Sequence, residues 1–149
     1  EARRNGAEWA PTHIISVYGP ENRYLGLPDF DQTRQIHARF EDVVDPSAPG
    51  APTPAHIEEI LGFIATLPKD ARLMIHCLQG RTRAAAIALG ILARTLPADK
   101  AGQAIFRTVP QASPNPLLVA LFDRALGHDG KLIKAGRKFP STGLRAAVA

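Results

Sequence analysis

Cysteine, methionine and tryptophan each occur once in this 149-residue chain. A lone cysteine, Cys77, cannot close an internal disulfide. That excludes a disulfide-stapled scaffold and suits a reducing compartment, so the expected location is the cytoplasm. The methionine is Met74, so the sequence does not open on an initiator and residues upstream of Glu1 are expected to have been removed. No apolar run approaches the roughly 20 residues of a membrane span. No charged-then-apolar signal segment opens the chain. Charge is not gathered in blocks: five lysines and thirteen arginines are spread along the sequence, with a formal net charge of +4. Basic and aromatic residues do not interleave, so a nucleic-acid partner is not expected. A modest arginine-rich excess leaves room for anionic ligands. There is no His/Cys/Asp/Glu cluster at metal-ligand spacing, so neither a metal nor another cofactor is expected. There is no internal repeat and no linker, and the length suits one domain, expected to be a monomer.

What is present alternates between strand and helix signals. "HIISVY" (13–18) is β-branched and bounded by Pro11 and Gly19-Pro20, which predicts a strand. "QIHARF" (35–40) alternates, with Ile36, Ala38 and Phe40 on one face, and predicts another. Residues 22–33 carry too much Gly, Pro and Asp for regular structure. The segment 41–54 holds four prolines and a glycine and predicts a long surface loop, a frequent seat of function. Thr53 with Pro54 marks a helix start, and Ile57, Ile60, Leu61 and Ile64 give that helix an apolar face. "RLMIHC" (72–77) is expected to be a central, buried strand. Helices are expected at 83–94, 97–109 and 116–127, the last with Gly127 past its end. Alternation of this kind predicts an α/β domain with a largely parallel sheet. The domain is expected to span 1–127, with 128–149 a loosely packed tail.

The chemistry concentrates in "MIHCLQGRTRAAAIALGIL" (74–92). A strand, a turn containing Gly80 and then a helix of small residues present backbone N–H groups and a helix N-terminus to an anion. Leu78, Gln79, Gly80, Arg81, Thr82 and Arg83 would form the cup around a phosphate, with Cys77 at its floor. Gly80 allows a backbone conformation other residues resist. Arg83 can offer a planar fork to two oxygens. Such surroundings favour a thiolate, the reactive form of cysteine.

His76-Cys77-x-x-Gly80-x-x-Arg83 resembles the signature of the cysteine-dependent protein tyrosine phosphatases. The likeness is to the dual-specificity-like branch, and within it to predicted bacterial tyrosine phosphatases. The resemblance covers about residues 12–127. It implies a single-domain α/β cysteine-phosphatase fold with a central, mostly parallel sheet of four to five strands flanked by helices. It gives His76 the task of holding the cysteine loop by hydrogen bonds. It also implies an aspartate proton donor after a strand some thirty-odd residues before the cysteine. "RFED" offers Asp42 for that task, with Asp45 as the alternative. "SPNP" resembles the segment before the last helix whose Asn braces the phosphate loop, here Asn115. In one respect the chain departs from the pattern: the Ser or Thr that usually follows the arginine is Ala84, which implies slow breakdown of a cysteinyl-phosphate intermediate.

The activity implied is hydrolysis of a phosphate monoester, on a phosphorylated protein or a small phosphomonoester, through phosphocysteine. Two alternatives accompany it. A catalytically weak, phosphatase-like module would bind phosphorylated partners through the same cup. A rhodanese-like sulfurtransferase typically places its arginine five positions after the cysteine, where this chain has Thr82.

Overall fold

The computed structural model describes residues 10–23, 27, 29–78 and 80–139. Strand β1 (His13–Tyr18) lies between β2 (Gln35–Arg39) and β3 (Leu73–His76), and both pairings are parallel. Five helices are found among the described residues: α1 (Pro54–Ala65), α2 (Arg83–Leu92), α3 (Ala98–Thr108) and α4 (Pro116–Leu126), which follow the pattern of the sequence, and α5 (Lys131–Gly136), which it did not indicate. A short 3-10 turn over Gln32–Arg34 leads into β2.

The register explains which residues meet. Ile15 pairs with Ile36 and Ile75, and Ser16 pairs with His37 and His76. Because side chains alternate along a strand, the first set shares one face and the second set the other. The apolar set joins the core, where Ile15, Val17, Ala38 and Phe40 meet Ile57, Ile60, Ile87, Leu118 and Phe122. Small residues let α2 approach closely: Ala84, Ala85 and Ala86 are buried, and a Cβ at Gly90 would collide with the Phe122 ring of α4. Since all three strands run the same way, their C-terminal ends gather at one edge. In open α/β sheets that edge is where ligands bind.

Three expectations are corrected. Among the described residues the sheet has three strands, fewer than four to five. The strand at 73–76 is half-buried and, among the described residues, pairs with β1 alone; the central strand is β1, buried at every position after His13. The segment after Gly127 is packed through Phe139, with Leu132 fully buried and Ala135 and Phe139 nearly so. The apolar spacing of 132, 135 and 139 sits among lysines and glycines that obscure it. The Asp123 carboxylate fixes the turn into α5, accepting from the N–H groups of Gly130 and Leu132, each at 2.9 Å. Residues 140–149 lie outside the described residues.

If α5 is part of the folded unit, Leu132→Ala should destabilise it by about 2–5 kcal/mol, as buried leucines do when truncated. Urea unfolding monitored by circular dichroism measures this; an unchanged midpoint would assign the segment to a dispensable tail.

Candidate active site

The loop after β3 turns around the sulfur of Cys77, a half-buried side chain. Gly80 adopts φ 70°, the left-handed region in which only glycine is unstrained, and so directs its N–H back toward the cysteine. The sulfur accepts from Gly80 N at 3.2 Å and from Ala84 N, in the first turn of α2, at 3.4 Å. The loop is held from outside by the segment before α4. Ser113 N donates to the Arg81 carbonyl at 2.8 Å and Asn115 N to the Thr82 carbonyl at 3.1 Å. Leu78 is 86% exposed and Arg81 is exposed too, so both lie at the rim. Gln79, expected to line the cup, lies outside the described residues.

Arg83 is buried, 8% exposed, at the first position of α2. One terminal nitrogen donates to the Phe40 carbonyl at 2.9 Å, tying the helix start to the end of β2. Its Nε has no hydrogen-bond partner among the described residues. The ion pair found among the described residues, Arg34 with Asp31, does not involve Arg83. A buried guanidinium without a counter-ion among the described residues, at the positive end of a helix, has the chemistry to receive an anion.

Asp42 is joined to this loop and Asp45 is not. Thr82 Oγ1 donates to Asp42 Oδ2 at 2.7 Å, and Asn115 Nδ2 donates to Asp42 Oδ1 at 2.7 Å. Asp45 instead closes a turn on its own loop, accepting from Ser47 N and Ser47 Oγ; these bonds lower its pKa and favour the ionised form. Asn115 does more than was expected of it. Its side chain also donates to the Val43 carbonyl at 3.0 Å and caps α4 by accepting from Leu118 N at 3.0 Å. It therefore braces the Asp42 loop with its side chain and the loop after Cys77 with its backbone N–H. Thr82 makes no side-chain cap for α2, because its hydroxyl goes to Asp42. It consequently does not supply the hydroxyl that Ala84 lacks.

His76 points across the sheet, with Nε2 2.7 Å from Ser16 Oγ, which also accepts from Gln35 Nε2 at 2.7 Å. Ser16 and Gln35 thus orient the residue before the cysteine, and neither stands out in the sequence. Ser16 reads there as one polar residue in a β-branched strand, and its partners are 19 and 60 residues away.

Scanned against protein-family models the chain matches none, and no curated protein matches it. Among solved structures it is similar to the crystal structure of human DUSP28, at 22% identity and TM-score 0.62, over 85% of this chain and 81% of that one. It is likewise similar to DUSP15, at 20% identity and TM-score 0.64, over 95% of this chain and 88% of that one. The chain has the dual-specificity-phosphatase fold. At these identities the likeness is one of fold.

Two half-buried histidines, His37 and His76, couple stability to pH. Burial holds the His76 imidazole below the ordinary histidine value, with the nearby His37 adding to the effect. His37 is lowered by burial and then by Arg39. The unfolded chain therefore takes up protons first as pH falls. Stability should be fully present above the unfolded histidine value of about 6.5 and decline below it, until the folded-state values are passed. Urea midpoints measured from pH 7.5 to 5 should show that decline, and His76→Gln should flatten it. An equal slope in the variant would exclude His76 as a source.

Proposed function

We propose that this chain is a cysteine-dependent phosphatase acting on phosphate monoesters, as a phosphotyrosine or dual-specificity protein phosphatase. The observation that carries this reading is the buried Arg83, whose Nε has no partner among the described residues while two backbone N–H groups converge on the sulfur of Cys77. A tetrahedral dianion seated there would give that nitrogen its partner and its counter-charge.

The proposed reaction is a two-step displacement. Cys77 Sγ attacks phosphorus and forms the S–P bond while the ester P–O bond breaks. Arg83 and the loop N–H groups stabilise charge on the equatorial oxygens. Asp42, protonated at that moment, gives its proton to the departing oxygen. Water then attacks the cysteinyl phosphate, Asp42 takes a proton from it, and the S–P bond breaks to release phosphate and thiolate. Asp42 is preferred over Asp45 because its carboxyl is bonded to Thr82 of the loop, whereas Asp45 is occupied with Ser47. An aryl ester suits the site, since a phenol of pKa about 10 leaves more readily than an alcohol. The exposed side chains of Val44 and Leu78 also favour an apolar leaving group.

A second reading draws on Ala84. The residue reaches the sulfur only through its backbone N–H, so the thiolate has no hydroxyl to help it depart. If the second step is slow enough, the cup acts as a binding module for phosphorylated partners.

Two experiments separate these readings. The wild-type protein should hydrolyse p-nitrophenyl phosphate without added metal. Cys77→Ser should abolish activity, and Arg83→Ala should cost about 100- to 1000-fold, the usual loss for a donor to a developing oxyanion. Inactive wild-type protein that still binds phosphopeptide would favour the binding module. Rapid mixing of the active enzyme should show a burst of nitrophenol followed by a slower steady rate, and Ala84→Ser should raise the steady rate more than the burst. A trace without a burst would place the slow step elsewhere.

A further inference from the structure

We infer that Thr82 is a positioning residue for the proton donor, holding the Asp42 carboxyl in register with the phosphate loop. The inference rests on the phosphatase reading above and goes beyond it by assigning the Thr82 side chain a part in the first chemical step.

A threonine preceding a helix ordinarily turns its oxygen onto the helix's own N–H groups, because those donors are otherwise unsatisfied. Thr82 stands at that position and does not cap α2. The residue is buried, 7% exposed, and its hydroxyl donates to Asp42 Oδ2, 40 residues earlier in the chain. The local interaction has been given up for one with the acid loop. That has two consequences. The first N–H groups of α2 carry no side-chain cap, and one of them, from Ala84, meets the sulfur. The acid loop, meanwhile, is fastened to the residue covalently joined to Arg83.

The geometry also fixes the orientation of the carboxyl while leaving each oxygen room for one further bond. Each carboxylate oxygen has two lone pairs, and each accepts one donor here: Oδ2 from Thr82 and Oδ1 from Asn115. One lone pair on each oxygen is left for the transferred proton, and Asp42 is exposed, so it can face a leaving group. Asn115 has other duties, since it also bonds Val43 and caps α4. Thr82 is the anchor that belongs to the phosphate loop itself.

The test uses leaving groups of different acidity. Phenyl phosphate needs a proton on its departing oxygen, whereas dinitrophenyl phosphate expels a phenolate stable without one. Thr82→Val keeps the shape and removes the hydroxyl; Thr82→Ser keeps the hydroxyl. For Thr82→Val, kcat/KM, which reports formation of the phosphocysteine, should fall about 10- to 100-fold on phenyl phosphate and by no more than about threefold on the dinitrophenyl ester, because the loss is of general-acid assistance. Thr82→Ser should restore most of the phenyl phosphate rate. Competitive inhibition by inorganic phosphate, measured alongside, reports whether the phosphate loop is intact. Equal loss on both esters, or no recovery in Thr82→Ser, would overturn the positioning role and leave the phosphatase reading standing. Wild-type protein inactive on both esters would overturn the two together.

Discussion

The site depends on a buried positive charge that none of the described residues neutralises. Arg83 has been taken out of water at the first position of a helix, where the backbone dipole is already positive, and no ion pair to it is found among the described residues. Each circumstance opposes the charge. What holds the side chain is a hydrogen bond to the Phe40 carbonyl, a group freed by the end of β2. Such an arrangement is costly in the empty protein and becomes favourable once an anion occupies it. Stability has been given up at the position where a dianion would supply the missing charge.

The rest of the architecture serves to keep that charge in place. Parallel pairing brings the ends of β1, β2 and β3 to one edge, so the Phe40 carbonyl and Cys77 lie at the same edge of the sheet though 37 positions separate them. Gly90 lets α2 settle against Phe122 of α4. That contact fixes α2 relative to the segment carrying Asn115, which begins α4. Asn115 then links three pieces: its backbone N–H holds Thr82, its side-chain nitrogen holds Asp42 and Val43, and its oxygen caps α4. Packing on one side of α2 thereby sets polar geometry on the other.

Much of this was legible in the sequence where the signal is local. The strand at 13–18 and the helix starting at Pro54 have the bounds that their β-branched run and their Thr-Pro start indicate. The spacing from His76 to Arg83 indicated the turn around the sulfur. What stayed hidden was long-range. Nothing near Ser16 announces that it will orient His76, because the partners are brought together only by strand register. Whether 73–76 is central or at an edge depends on what lies beside it, and an apolar run does not encode that. The destination of the Thr82 hydroxyl was likewise open, since local capping and a distant carboxylate compete for it. α5 was missed for a different reason: six residues carry too little periodicity to stand out from their charged neighbours.

The hydroxyl pattern around Arg83 bears on how the proposed chemistry is divided between its two steps. On one side, Thr82 directs a hydroxyl toward the carboxyl that would protonate the leaving group. On the other, Ala84 offers the sulfur only a backbone N–H. The first step, in which sulfur attacks and a proton must be delivered, is thus supported by side chains on both the acid loop and the phosphate loop. The second step, in which the same sulfur must depart, is left to backbone donors alone. Under the proposed chemistry, a protein built this way would capture phosphate more readily than it releases it. The same asymmetry would serve a phosphatase with slow turnover and a module whose task is to hold what it binds, and the two differ only in the rate at which the S–P bond is broken.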